Sequence, residues 1–258
     1  MNDKKIGFIG AGRIVNILLG GWKRKGVVPD QVRVTEPHSG TAENLKKNHP
    51  EIEMVSRVRD LKGSDLLIVA VHPPVMAQVL GELRTVIDPQ TLVCSLVPKI
   101  PFAKLRDALS GHNKIIRMNP NAPSLVNSGF NPVAFGSGVT AEEKALFLNL
   151  MNTLGHCPET KEENIEAYAV ISAMGPTYLW FQLYQLIELA KTFGLTEREA
   201  MDAVSAMAIG AVRTMTESGL TPEGVMDLLP VKPMAEEEAA IKAAYRNRLT
   251  GMMQKLKS

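Results

Sequence analysis

The strongest constraint on this chain is the run Lys5-Ile6-Gly7-Phe8-Ile9-Gly10-Ala11-Gly12-Arg13-Ile14. A short apolar strand pattern runs into two glycines, and an apolar-periodic segment follows at once. That order is the strand-turn-helix entry of a Rossmann unit. Gly10 would make the tight turn, and Gly12 would let the backbone approach a pyrophosphate. The first N–H groups of the following helix, at Arg13 and Ile14, would point at the anion. The third glycine of the fingerprint is Val15 here, so the motif needs support from its context. Gln31-Val32-Arg33-Val34-Thr35-Glu36 supplies it. A second strand ending in an acid about 20 residues on is where the ribose hydroxyls are bound. The competing reading is a parallel strand-helix unit whose glycines serve only a turn.

Glu36 favours NAD, because a 2′-phosphate would meet its negative charge. His38 and Ser39 follow immediately and are able to bind that phosphate. NAD and NADP both stay open, with the balance toward NAD.

The rest of the first half repeats the alternation. Leu66–Val71, Thr91–Leu96 and Lys114–Met118 are apolar runs suited to a parallel sheet buried on both faces. Helical patterns lie between them, at 75–84 and 102–109. Phe130–Phe135 reads as one further strand. Thr140 and Glu143 form a capping-box signature for the next helix. From about Asn164 strand signals disappear. Gly175-Pro176 opens a long helix with proline in an early position, running to about Phe193 and stopping at Gly194. It is apolar on most of its circumference, and such a helix requires burial on nearly every side. About 95 residues of helical sequence would struggle to supply that burial alone, so a subunit interface is expected. Thr196–Glu199 caps another helix, Thr221-Pro222 starts a shorter one, residues 228–233 form a proline-interrupted loop, and a charged helix follows from Ala235.

The fold class read from this pattern is α/β, a Rossmann-type, mostly parallel sheet followed by an all-helical dimerisation domain. The domains are expected at 1–160 and 161–258. A net charge of +2 over 258 residues makes no electrostatic case for nucleic acid or an acidic membrane surface. No stretch reaches the length of a membrane helix. Residues 1–5 lead into a strand rather than a signal-peptide core. The two cysteines, Cys94 and Cys157, have no metal-ligand spacing, and a reducing cytoplasm is expected. No metal site is expected, and no G-x-S-x-G elbow marks a hydrolase.

Three further motifs sit where ligands bind in open sheets or at a helix start. Val71-His72-Pro73-Pro74 closes a central strand. Arg117-Met118-Asn119-Pro120-Asn121-Ala122-Pro123 leaves the last parallel strand. Ser172-Ala173-Met174-Gly175-Pro176-Thr177-Tyr178 enters the long helix. Val71, His72, Pro73 and Asn119 are candidate cofactor contacts. Asn121, Gly175, Pro176 and Thr177 are candidate substrate contacts. Asn119 and Asn121 are equally able to satisfy turn backbone, and Arg117 to pair with a carboxylate of the protein itself.

In this order the motifs resemble those of the pyrroline-5-carboxylate reductase family, which reduces a cyclic imine to proline. The family's G-F-I-G-x-G-x-M is similar to Gly7–Ile14, its V-K-P to Val71-His72-Pro73, its R-x-M-P-N-x-P to Arg117–Pro123, and its S-G-S-G-P-A-Y to Ser172–Tyr178. The resemblance spans residues 4–225. It implies NAD(P)H-dependent reduction of a C=N bond, a small-molecule imine substrate, most simply 1-pyrroline-5-carboxylate, and a homodimer or higher homo-oligomer. The family's D-x-V-x-S-P-G-G-T-T signature is missing. Asp227-Leu228-Leu229-Pro230-Val231-Lys232-Pro233-Met234 stands there, without the glycines and threonines that approach a substrate carboxylate. Lys232 is the candidate replacement, against the plainer reading of a solvated loop lysine. A glutamate common in the family's long helix is Tyr184 here. A hydroxyl at that place is a candidate proton donor to the imine nitrogen, against core packing as the alternative. The alternatives to the proline-forming reaction are reduction of another imine or a carbonyl on the same scaffold, and nicotinamide binding without turnover.

Overall fold

The computed structural model describes residues 4–257. Six short strands are parallel: β1 (Lys5–Ile9), β2 (Gln31–Thr35), β3 (Glu53–Val55), β4 (Leu66–Val69), β5 (Leu92–Ser95) and β6 (Ile115–Met118). Two residues, Gly129–Phe130, form β7, and Val133–Phe135 forms β8, which pairs antiparallel with β6. The sheet order is β3-β2-β1-β4-β5-β6-β8. The order reverses beside β1, which pairs with both β2 and β4.

All four residues of β4 and of β6 are buried. Successive side chains alternate between the two faces, and the cores divide accordingly. Leu66 and Ile68 join Ile6, Phe8, Val34 and Ile116 on one face. Leu67 and Val69 join Ile9, Val93 and Ile115 on the other. Helices cover both. On the first face α1 (Arg13–Lys25) buries Val15, Leu18, Leu19 and Trp22, spaced three and four apart. On the second lie α3 (Met76–Leu83) and α4 (Phe102–Ala108), the fourth helix in chain order after α2 (Ser39–Asn48). A Cβ at Gly21 would stand 2.3 Å from the carbonyl oxygen of Ser124. Only glycine lets α1 approach the 3₁₀ turn Ala122–Val126 so closely. The helix α5 (Ala141–Met151) starts on the expected box, with Thr140 Oγ1 accepting from the N–H of Glu143 and the Glu143 carboxylate accepting from the N–H of Thr140.

The expected single strand over Phe130–Phe135 is two strands. Pro132 has no N–H to continue a ladder. β7 instead pairs with β9 (Gly155–His156) in a separate two-stranded sheet, while the carbonyl of Pro132 accepts from the N–H of Asn119.

The chain divides into two compact units, one reaching to Met174 and including the chain end from Met253, the other Gly175–Met252. Toward the end of the first unit come α6 (Ile165–Tyr168) and a π-helical turn, Ala169–Ala173. The second contains α7 (Pro176–Thr192), α8 (Glu197–Glu217), α9 (Pro222–Asp227) and most of α10 (Glu238–Lys257). Its own core is small. Ile187, Ala200 and Val204 are buried between α7 and α8, with Leu183 and Ala190 against them. Leu179, Phe181, Phe193, Met207, Ile209, Val212 and Met215 stay exposed in the single chain.

Candidate active site

The carboxyl edge of the sheet collects most of the sequence candidates. Gly10 ends β1 at φ +99°, and a Cβ there would lie 2.5 Å from the carbonyl oxygen of Ala70. Both facts demand glycine. Its N–H donates to the carbonyl of Thr35, so the turn is fixed against β2. Gly12 is the N-cap of α1, has no side-chain cap, and would place a Cβ in open space. The first N–H groups of a helix have no intrahelical acceptor, so those at Arg13 and Ile14 present an uncapped, positively polarised end. Val15, at the third fingerprint position, is buried in the core against the sheet.

Glu36 lies beside this turn. Its Oε2 accepts from the N–H of Ala11 at 2.9 Å and its Oε1 from the N–H of His38 at 3.0 Å. The carboxylate is therefore held by backbone on both oxygens. An uncapped helix start, a turn whose two glycines lack Cβ atoms and a fixed acid at the end of β2 fit a nicotinamide dinucleotide, whose pyrophosphate would lie at Gly10–Ile14 and adenosine ribose at Glu36.

Beyond β4, Val71 is half-buried, and His72 and Pro73 are exposed as a 3₁₀ turn begins. They lie on the neighbouring strand end, across the reversal point from Glu36.

The end of β6 behaves differently. Asn119 is buried and its Nδ2 donates to the carbonyl of Ile165. Asn121 is buried too; its Nδ2 donates to the carbonyl of Ser172 at 3.1 Å, and its Oδ1 accepts from the N–H of Phe130 at 3.0 Å. The Asn119 amide nitrogen and both ends of the Asn121 amide are taken up by protein backbone. Arg117 is 2% exposed and pairs with Glu162 Oε1 at 3.1 Å and Glu166 Oε1 at 2.5 Å. The same two carboxylate oxygens accept from the N–H groups of Phe102 and Lys99. Arg117 is therefore a structural tie to protein carboxylates. Sequence reasoning missed Glu162 and Glu166; their four-residue spacing puts both on one helical face and was the available signal.

On the helical unit, Gly175 is helical at φ −49°, ψ −43°, and Pro176 is the first residue of α7. Thr177 is exposed, and Tyr184, seven residues on, shares its stripe and is 63% exposed. Tyr178 packs edge-on against Tyr245, whose hydroxyl accepts from Gln182 Nε2 at 3.2 Å. Partial burial, then the neighbouring Tyr245, pushes the Tyr178 hydroxyl above its ordinary pKa. Lys232 is exposed in the loop between α9 and α10, among exposed Leu228, Leu229, Val231 and Met234. The cysteines are free and buried, and burial pushes the Cys157 thiol up to about 12. Among the described residues no group of three His, Cys, Asp or Glu gathers to hold a metal. No helix among them is long and apolar enough to cross a membrane.

Residues 5–98 match the family model described as NADP oxidoreductase coenzyme F420-dependent. Residues 162–256 match the model described as pyrroline-5-carboxylate reductase dimerisation. The pyrroline-5-carboxylate reductase of Escherichia coli is 28% identical over 261 residues, covering 98% of this chain and 97% of the relative. That of Methanosarcina acetivorans is 26% identical over 255 residues, covering 96% and 94%. The fold is shared with the Plasmodium falciparum pyrroline carboxylate reductase crystallised with NADP, at a TM-score of 0.86 and 22% identity over 100% of this chain and 98% of that one. The Coxiella burnetii enzyme superposes at 0.71 with 25% identity, covering 98% and 94%. With both halves matched in order and the relatives aligned nearly end to end, the chain is similar to pyrroline-5-carboxylate reductases along nearly its whole length.

Proposed function

We propose that this protein is an NAD(P)H-dependent reductase that converts 1-pyrroline-5-carboxylate to proline. The observation that carries the reading is the glycine turn at the uncapped start of α1, fixed beside Glu36, in a chain that aligns with pyrroline-5-carboxylate reductases along nearly its whole length. When bound, the reduced nicotinamide supplies the hydride. Gly12, Arg13 and Ile14 hold the pyrophosphate by backbone N–H groups at the turn that Gly10 makes, and Glu36 orients the ribose. Val71, His72 and Pro73 line the nicotinamide half. Asn119 and Asn121 act through the backbone they fasten. Gly175, Pro176 and Thr177 bind substrate at the start of α7, and Lys232 is a point charge for the carboxylate. Holding the reactants in one geometry removes much of the entropic barrier.

The NAD preference is supported by the Glu36 carboxylate. It would have to break two backbone hydrogen bonds to turn away from a 2′-phosphate. The imine nitrogen needs a proton wherever the substrate is not already an iminium. Tyr184 is the proposed donor, and Tyr184→Phe should lower kcat at alkaline pH while leaving it unchanged at acidic pH. Equal activity across pH would remove Tyr184 from this role.

The domains are a dinucleotide-binding domain over 1–160 and a helical dimerisation domain over 161–258. A homodimer or larger homo-oligomer is supported by the exposed apolar faces of α7 and α8 and by the dimerisation family match. A cytoplasmic setting fits the two free, buried thiols. The direct test is absorbance at 340 nm with pyrroline-5-carboxylate and either NADH or NADPH. Rapid loss with at least one cofactor is expected. Cofactor binding without loss would overturn the reading in favour of another substrate or of binding alone.

A further inference from the structure

We propose that Lys99 binds the carboxylate of the substrate. This deepens the imine-reductase reading and rests on it. In an open parallel sheet a dinucleotide straddles the point where strand order reverses, and each half lies over the carboxyl ends of one set of strands. With the reversal at β1 and the ribose acid at the end of β2, the nicotinamide half belongs over β4, β5 and β6. Lys99 lies four residues past the end of β5.

Its backbone is in the left-handed region, at φ +71°. Glycine adopts that conformation freely, and a lysine only at a cost. Among the described residues, the two other non-glycine residues with positive φ, Ser110 and Asn127, have local explanations. Ser110 directly follows the residue that caps α4, and Asn127 anchors its amide on the carbonyls of Gly21 and Thr153. Lys99 has no comparable bond from its side chain. Its backbone is nonetheless rigidly held: Pro98 precedes it, Pro101 follows, and its N–H donates to Glu166 Oε1, which buried Arg117 clamps. The ammonium is exposed and in no ion pair among the described residues.

Beside Tyr168 and the pair Lys161 and Glu163, which lie 3.9 Å from each other, the charged or titratable groups at these strand ends and on the segment packed against them are Glu162, Glu166, Arg117 and His72. The two glutamates are engaged by Arg117 and by backbone N–H groups. That leaves Lys99 as a free cation on a rigid backbone, at the end of the sheet where the reacting C=N group has to lie. A cyclic imine bearing a carboxylate is the substrate class that such a cation selects.

The test uses Lys99→Gln and Lys99→Gly with two substrates, pyrroline-5-carboxylate and uncarboxylated 1-pyrroline. It adds calorimetric binding of proline and of pyrrolidine to the NAD-loaded protein. Loss of one charge-assisted contact should raise KM for the carboxylated imine about tenfold or more, with kcat nearly unchanged. Proline binding should weaken equally, while 1-pyrroline and pyrrolidine are unaffected. Lys99→Gly should also raise the thermal midpoint, since the strain is relieved. Equal KM changes for both imines, or unaltered proline binding, would overturn the proposal. So would a lower midpoint with unaltered proline binding, which would assign Lys99 to balancing Glu162 and Glu166. If the unmodified protein reduces neither imine and binds neither ring, the imine-reductase reading itself fails.

Discussion

Asn121 donates its Nδ2 to the carbonyl of Ser172 at 3.1 Å, the carbonyl four residues before Pro176. In a continuous α-helix that oxygen would accept from the N–H of residue 176, and proline has none. The side chain of Asn121 supplies a donor to the oxygen that Pro176 cannot serve. The loss of that regular bond coincides with the π-helical turn Ala169–Ala173, and such turns recur where a helix is locally specialised. A candidate ligand contact is in this way also part of what shapes the turn that precedes α7.

Asn121→Asp keeps the shape of the side chain and loses the donor. It leaves the carbonyl of Ser172 facing an oxygen at a buried site. Destabilisation of about 1–3 kcal/mol is expected, read as a lower urea midpoint with an unchanged m-value. A midpoint equal to that of the unaltered protein would show that the bond contributes nothing.

Glu36→Gln removes the negative charge beside the ribose site and keeps an acceptor for the N–H of Ala11. A charge a few ångströms from a phosphate is worth about 1–4 kcal/mol near a protein surface. The ratio of kcat/KM for NADPH to that for NADH should rise about tenfold. An unmoved ratio would place cofactor choice elsewhere.

Phe181 is 67% exposed on α7 in the single chain. Phe181→Asp therefore costs the isolated fold little. It should nonetheless dissociate a homo-oligomer by burying a charge without a partner. Light scattering should report a multiple of 28.1 kDa before the substitution and 28.1 kDa after it. An unchanged mass would exclude this face of α7 from the interface.

Glu143 ties α5 to Lys114, the residue before β6. Partial burial alone would raise its carboxyl pKa. The hydrogen bond from Lys114 Nζ and those at Thr140 outweigh burial and hold the carboxyl below its ordinary value of 4.5. A depressed folded pKa contributes stability that is present above the unfolded value and lost as pH falls through the folded one. The unaltered protein should therefore be more stable than Glu143→Gln at pH 7, and the gap should close below pH 4.5. Denaturation midpoints at a series of pH values would measure it, and a gap independent of pH would contradict this account.

The glycine turn and the acid beside it were legible because they rest on local rules. Gly10, Gly12 and Glu36 stand within one strand-turn-helix-strand passage, where φ, close backbone approach and sheet alternation dictate residue type. The capping boxes at Thr140 and Thr196 were legible for the same reason. The apolar circumference of α7 declared a need for burial that its own unit does not meet.

Other features depended on residues far apart in sequence. Asn119 and Asn121 read equally as ligand contacts or turn residues until Ile165 and Ser172, about 50 residues on, supplied their acceptors. Arg117 read as free to take a ligand or a protein carboxylate until folding brought Glu162 and Glu166 against it. Phe130–Phe135 read as one strand, and Pro132 divides it because each half finds a different partner, β9 or β6. Sequence periodicity and turn chemistry alone determined the Rossmann sheet, the position of its glycine turn and the helical second half. Which polar side chains stay free for ligands, and which are consumed by the backbone, was decided only in the tertiary structure, because a hydrogen bond or ion pair needs both partners within about 3 Å and local sequence carries only one of them.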